Sequence, residues 1–305
     1  MAYLNKEDKI SVVMTSSGSE EVFNQAMPLL NKYFDEMGYQ LSYKSDLAKD
    51  GADLFSANSD EYRLNSFIEA ANDPETSLIW AFRGGYGAIK LLPGLDETNI
   101  DVIKNKTLVG FSDLTALHIY LHNRYNIKTF HAPVIAQMLP TRTTPKVVKD
   151  EILSVLAGTQ KEVELDLTVL SNHAHQTHIE GITEGGNLEL VKCSLGTKWE
   201  INCNNKIIFL EEVNDQAYRY DRSFFHLVNS KAFAGAKAII LGRFSCVDND
   251  KEIEDKLIKE FPKYTNIPIF RSLEFGHIDH NRIIPLNCSA KIIISNEIAK
   301  IIIEV

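Results

Sequence analysis

Apolar positions along this chain come in short blocks that alternate between strand-like runs and helical spacing. Lys9-Ile-Ser-Val-Val-Met14 is a β-branched run that stops at Thr15-Ser-Ser-Gly-Ser19, a strand followed by a turn. A helix is predicted from Ser19, with Glu20 and Glu21 in its first turn, where negative charge meets the positive end of the helix dipole. Its apolar face reads Val22, Phe23, Ala26, Leu29, Leu30, Tyr33 and Phe34. Met37-Gly38 ends it, and Tyr39-Gln-Leu-Ser-Tyr43 is a second strand. A β-α-β start of this kind points to a parallel sheet.

The alternation continues. Asp60-Glu-Tyr-Arg63 opens a helix that runs through Phe67, Ile68, Ala70 and Ala71 to Asn72-Asp-Pro74. Ser77-Leu-Ile-Trp-Ala-Phe82 is a buried strand that runs straight into Arg83-Gly-Gly-Tyr-Gly87, with a helix from Ala88 to Leu92 after it. Thr107-Leu-Val109 ends another buried strand, a helix is predicted over 114–124, Thr129-Phe-His-Ala-Pro133 is a strand end, and 146–157 is helical. Residues 161–180 change character, polar and β-prone, and read as a domain linker. Beyond it, Glu184-Gly-Gly-Asn-Leu188 leads a helix to Leu195-Gly-Thr197. Lys206-Ile-Ile-Phe-Leu210 is a strand ending in Glu211-Glu212, and Tyr218-Arg-Tyr-Asp-Arg222 leads a helix. Strands are predicted at Ala236–Leu241 and Ile267–Phe270, with a helix from Glu252 to Phe261 between them. The tail, 289–295 and 298–305, reads as a β-hairpin with its turn at Asn296-Glu297. The pattern as a whole is α/β, with a parallel sheet expected in the first half, and it divides into a domain over 1–160, a linker over 161–180 and a smaller domain over 181–305.

Composition narrows the function classes. The 305 residues, 44% apolar and 24% charged, are those of an ordinary globular protein with ample chain for a core. A net charge of −9 with no basic run argues against a nucleic-acid partner. No apolar h-region opens the chain and no apolar run exceeds strand length, so neither a secretory leader nor a membrane partner is expected. The four cysteines show no framework spacing, which suits reduced thiols in the cytoplasm. The Ser/Gly turn after the first strand lacks a G-x-G-x-x-G or a Walker lysine, so no nucleotide cofactor is called for. His173, His175 and His178 stand close together without a carboxylate or cysteine partner, and a solvated loop is favoured over a metal site.

The chemistry-bearing stretch is Val109-Gly-Phe-Ser-Asp-Leu-Thr-Ala-Leu117. A serine between a buried strand and a helix start is held out on a sharp turn, the geometry of a nucleophile elbow. Leu114 stands where the second Gly of G-x-S-x-G would be, and Ser112 or Asp113 as a plain helix cap is the competing reading. Three glycines in the 84–87 turn allow close backbone approach to a ligand, though a βα turn alone also uses Gly. Glu211 and His277 also fall at strand ends. A serine hydroxyl needs a base, and the base needs a carboxylate to fix its tautomer, so Ser112, Glu211 and His277 form a candidate triad. Glu212 competes with Glu211, and His131 with His277.

Arg83-Gly-Gly-Tyr-Gly87, Gly110-Phe-Ser-Asp-Leu-Thr-Ala-Leu117, Gly185-Gly-Asn-Leu188, Phe209-Leu-Glu-Glu-Val213, Tyr218-Arg-Tyr-Asp-Arg222 and Phe275-Gly-His277 together resemble the LD-carboxypeptidase family of serine peptidases, in the family's order and over nearly the whole chain. The resemblance implies a Rossmann-like domain bearing the nucleophile and a β-rich domain bearing acid and base. It assigns Ser112 as nucleophile, His277 as general base and Glu211 as its carboxylate, with the N–H groups of Gly85 and Asp113 as oxyanion hole. The family usually has Glu-Asp where this chain has Glu211-Glu212. The implied activity is release of the terminal D-alanine from a murein tetrapeptide in peptidoglycan recycling, by a cytoplasmic homodimer without cofactor. The alternatives are a microcin-immunity-type hydrolase of peptidyl or aminoacyl nucleotides and a non-catalytic binder of small ligands. A carboxypeptidase must read a free carboxylate. Arg83 and Arg222 are the side-chain candidates for that task, and the N–H groups of the 84–87 turn are the alternative.

Overall fold

A computed structural model describes residues 2–49, 52–171, 177–247, 251–295 and 298–305. The chain divides into two units, Met1–Gln160 and Lys161–Val305.

The first unit alternates strand and helix: β1 (Lys9–Val13), α1 (Glu20–Glu36), β2 (Gln40–Ser42), α2 (Asp60–Asn72), β3 (Thr76–Ala81), α3 (Leu92–Asp96), β4 (Thr107–Gly110), α4 (Thr115–Tyr125), β5 (Thr129–His131) and α5 (Lys146–Leu156). Its strands lie in the order β5-β4-β3-β1-β2 and every pair is parallel. Parallel strands covered on both faces are apolar without interruption, and Leu78, Ile79, Trp80, Leu108 and Val109 are all fully buried. Trp80 satisfies its indole N–H on the Pro133 carbonyl at 3.0 Å. The Ser19 hydroxyl caps α1 by accepting the Val22 N–H, and Phe23, Ala26, Met27, Leu30 and Phe34 form its buried stripe. Val22 and Leu29, expected on that stripe, are exposed at its margin.

The second unit is built on a closed barrel. Its elements are β6 (Glu162–Val169), β7 (His178–Asn187), α6 (Leu188–Ser194), β8 (Lys206–Asp215), α7 (Ala217–Val228), β9 (Ala238–Cys246), α8 (Lys251–Glu260), β10 (Ile269–Arg271), β11 (Ile284–Leu286), β12 (Ser289–Ser295) and β13 (Ile298–Glu304). The barrel order is β10-β6-β13-β12-β7-β8-β9. The β7-β8-β9-β10 stretch is parallel, with α6, α7 and α8 in its crossovers, and the rest is antiparallel.

The described residues of the expected linker, 161–171 and 177–180, are therefore mostly strand. β6 pairs along its length with β13, placing Val163, Leu165 and Leu167 in the core and Glu162, Glu164 and Asp166 outside. The polar composition that suggested a linker is the outer face of a half-buried strand. His178 opens β7 and is exposed, whereas His173, His175 and the expected hairpin turn Asn296-Glu297 lie outside the described residues. Among the described residues no helix is long and apolar enough to cross a membrane, and no cluster of three metal-ligating side chains occurs.

Candidate active site

Ser112, Gly85, Asp113 and Arg83 lie in the first unit, and Glu211, His277 and Arg222 in the second. In the first unit β4 ends at Gly110, Phe111 is extended, and Ser112 turns into the left-handed region at φ 63° before α4 begins. A non-glycine residue held there is strained, which is the signature of a serine presented on a strand-to-helix elbow. Gly110 is needed beneath it: a Cβ at that position would sit 2.9 Å from Leu114 Cγ and 3.2 Å from Ala81 Cβ. Leu114, in place of the motif's second glycine, is fully buried and fills that space. His118 bonds the Gly110 carbonyl at 2.9 Å and braces the turn from within α4.

The cap reading of Asp113 does not hold. No side chain caps α4, and the Asp113 carboxylate instead accepts the Ala88 N–H at 2.7 Å. That bond ties the elbow to the glycine turn. Burial pushes the Asp113 carboxyl up, while the Ser16 hydroxyl, the Ala88 N–H and the Arg63 charge act against the shift. Gly84 comes so close to the serine that a Cβ there would lie 3.1 Å from Ser112 Cβ. Gly85 has φ 120°, and a Cβ there would meet Ser17 Oγ at 2.7 Å. Only glycine fits both demands. Among the described residues no protein acceptor takes the N–H of Gly85 or of Asp113.

In the second unit Glu211 lies inside β8, fully buried, where the β8–β9 register shifts between Leu210 and Glu212. Leu210 pairs with Leu241 and Glu212 with Phe244, so Gly242 and Arg243 together oppose Glu211. The bulged Arg243 donates its N–H to the Phe275 carbonyl at 3.1 Å. Phe275 is buried edge-on to Phe209, and Gly276, at φ 120°, passes so close that a Cβ would lie 3.4 Å from Glu211 Cβ. Asn281 accepts the Gly276 N–H at 3.0 Å. These contacts deliver His277 to Glu211: Nδ1 donates to Oε2 at 2.6 Å. With Nδ1 so engaged, Nε2 is the basic nitrogen. Burial disfavours the charged ring, but the charge and hydrogen bond of Glu211, helped by the charge of Glu212, outweigh it and raise the His277 pKa.

Glu212 faces elsewhere. Its Oε1 accepts from Asn187 Nδ2 at 2.8 Å and from the Val213 N–H at 2.9 Å, and its Oε2 accepts the Glu189 N–H at 2.9 Å. It pins the start of α6 to β8. His131 is buried at the end of β5, edge-on to Phe111. Arg83 and Arg222 are exposed and enter no ion pair among the described residues; Arg222 stacks over Tyr218. Sequence reasoning gave no role to Ser17, Asn187 or Asn281, whose side chains act through hydrogen bonds, those of Ser17 and Asn187 to partners distant in sequence.

Family models match on both sides of the chain: the LD-carboxypeptidase N-terminal domain over residues 10–132 and the LD-carboxypeptidase C-terminal domain over 180–292. The chain is 30% identical over 243 residues to the murein tetrapeptide carboxypeptidase of Pseudomonas aeruginosa, covering 77% of this chain and 78% of that protein. Its fold is similar to the crystal structure of an MccF-like protein from Bacillus anthracis, with TM-score 0.84, 23% identity, and 99% and 98% of the two chains covered. It is also similar to muramoyltetrapeptide carboxypeptidase from Oxalobacter formigenes, with TM-score 0.80, 22% identity, and 97% and 99% covered.

Proposed function

This chain belongs to the LD-carboxypeptidase family, and from that premise we propose that it is a serine hydrolase that releases the terminal D-alanine from murein tetrapeptide in peptidoglycan recycling. The observation that supports this reading most is the 2.6 Å Glu211–His277 pair, a buried carboxylate fixing the tautomer of a part-exposed imidazole. In this reading His277 Nε2 takes the Ser112 hydroxyl proton as Oγ attacks the carbonyl carbon of the bond between diaminopimelate and D-alanine. The carbonyl oxygen becomes an oxyanion and accepts from the Gly85 and Asp113 N–H groups. Collapse breaks the C–N bond, the imidazolium gives its proton to the departing D-alanine amine, and water, activated by the same His277, hydrolyses the acyl-enzyme. The family also suggests a cytoplasmic homodimer.

Incubation of the protein with purified murein tetrapeptide, followed by mass analysis, tests the reading. Loss of one alanine is expected, and Ser112→Ala must abolish it. An intact tetrapeptide after prolonged incubation with folded wild-type protein sinks the carboxypeptidase assignment.

A further inference from the structure

The glycine turn is gripped at two points by side chains that the proposed reaction does not itself use. At one end, Asp113 Oδ2 accepts the Ala88 N–H at 2.7 Å. In the middle, Ser17 Oγ accepts the Tyr86 N–H at 3.0 Å and donates to the Phe55 carbonyl at 2.8 Å. Ser17 also touches the turn sterically, because it stands where a Cβ on Gly85 would be. Gly85, between these anchors, has φ 120° and an N–H that no protein acceptor takes among the described residues.

We infer that the Ser17 hydroxyl and the Asp113 carboxylate are positioning groups that hold the Gly84–Gly87 turn so that the Gly85 N–H is aimed before substrate arrives. This rests on the serine-hydrolase reading above. The physical argument is one of alternatives. A four-residue turn with three glycines has many accessible backbone states, and left alone it would spread its N–H directions over them. The N–H of Tyr86 is committed to Ser17 and that of Ala88 to Asp113. The peptide between Gly84 and Gly85 is then confined from its C-terminal side, and the close packing of Gly84 on Ser112 confines it from the other. Asp113 thereby holds two roles. Its own N–H is one proposed oxyanion donor, and its carboxylate fixes the far end of the turn that carries the other. An oxyanion donor is effective only if it does not have to reorganise during the reaction. The burial of Asp113 and the braced elbow fit that demand.

The test uses the full chain and three variants: Ser17→Ala, Asp113→Ala and Ser112→Ala. Tetrapeptide turnover is measured on the first two. Tetrapeptide binding is measured by calorimetry on Ser112→Ala and on Ser112→Ala carrying Ser17→Ala. A misdirected donor weakens the transition state and not the ground state. The expected result is therefore a fall in kcat of about 10- to 100-fold in Ser17→Ala, somewhat below the cost of deleting an oxyanion donor outright. KM and the calorimetric affinity should stay within about twofold. Asp113→Ala should show the same split where it folds; if it does not fold, Ser17→Ala, whose site is nearer the surface, decides. Wild-type kcat in Ser17→Ala overturns the inference while leaving the serine-hydrolase reading intact. Weakened binding with unchanged kcat also overturns it, because the turn would then act on ground-state substrate. A wild-type protein that leaves the tetrapeptide uncut removes the reading and the inference together.

Discussion

The side-chain amide of Asn187 donates to Glu212 Oε1 at 2.8 Å, and this bond separates the duties of two adjacent buried glutamates. Glu211 faces His277, whereas Glu212 collects three donors around the start of α6. The Glu211→Gln and Glu212→Gln variants should therefore fail differently. In Glu212→Gln the new side-chain amide must turn its NH₂ group toward a donor that the carboxylate accepted. That leaves a buried donor unsatisfied and destabilises the protein by about 1–3 kcal/mol, measurable by urea unfolding. Burial and the Glu211 charge push the Glu212 carboxyl up to about 7 against those donors. The folded protein binds this proton more tightly than the unfolded chain. Its contribution is thus full below the ordinary carboxylate range and is lost as pH rises to about 7, a slope that Glu212→Gln should flatten. Glu211→Gln should instead lower kcat more than stability. Equal losses of kcat in the two variants would contradict this division.

The base should report itself in the pH profile. His277, the proposed base, can take a proton only when neutral, and its pKa is raised above the ordinary 6.5. Activity should be lost as pH falls through a value above 6.5, and Glu211→Gln should move that limb to lower pH. The linked stability runs the other way: the charged pair stabilises fully below the ordinary histidine range and its contribution fades as pH rises through the raised pKa. Ser112→Ala and His277→Ala should each lower kcat by about a thousandfold or more, and the double variant should be little worse than either, because the groups act as a unit. An acid limb unmoved by Glu211→Gln would mean that another group controls it.

Gly276 is the hinge point of His277, the proposed base. Alanine there would have to adopt φ 120°, with its Cβ 3.1 Å from Arg243 Cβ and 3.3 Å from the Arg243 nitrogen. The left-handed backbone strain alone costs about 1–3 kcal/mol. Relief of the contact with Arg243 would shift His277 away from Glu211. Gly276→Ala should lower both the unfolding midpoint and kcat. A folded variant with wild-type kcat would show that the 275–277 loop tolerates displacement.

The local elements were legible where period and cap agreed. Ser19 before a 3.6-period stripe marked α1, and the unbroken apolar run at Leu78–Phe82 marked a strand of a covered parallel sheet. Ser112 was legible because strand, glycine, serine and helix follow one another in sequence. What was not legible came from contacts distant in sequence. The alternation of Glu162–Val169 has a strand's period, but its polar face looked like linker until β13 supplied a partner more than a hundred residues on. β8 was expected to stop at Leu210 and continues to Asp215, because Glu211 and Glu212 are charged residues carried into the interior by His277, Asn187 and backbone donors. The family resemblance pointed to Glu211 over Glu212, but the bulge opposite Gly242-Arg243, which accompanies the pairing of Glu211 with His277, is announced by no local pattern.

The last prediction concerns how a C-terminal carboxylate is read. The chain's net charge of −9 repels such a group at long range, so cations or backbone donors near the site must compensate. Arg83 directly precedes the glycine turn, and Arg222 lies on α7 over the Tyr218 ring. Both are exposed and enter no ion pair among the described residues, so neither is committed to a structural role there. The acidic residues Asp221, next to Arg222 in sequence, and Glu212 both have other partners. Asp221 accepts from the Tyr264 hydroxyl at 2.6 Å, and Glu212 is taken by Asn187 and two N–H groups. The comparison to make is tetrapeptide against its C-terminal amide, in wild type, Arg83→Gln and Arg222→Gln. If one arginine reads the carboxylate, its loss should erase the preference for the free acid, at a cost of about 1.5–3 kcal/mol for a charged hydrogen bond, or roughly 10- to 150-fold in kcat/KM. The other variant should keep the preference. If both keep it, the reader is backbone, and the N–H groups of the 84–87 turn become the account to test. If wild type cleaves acid and amide equally well, the enzyme does not select a free C-terminus at all. A broader amidase on the same scaffold would then replace the carboxypeptidase reading.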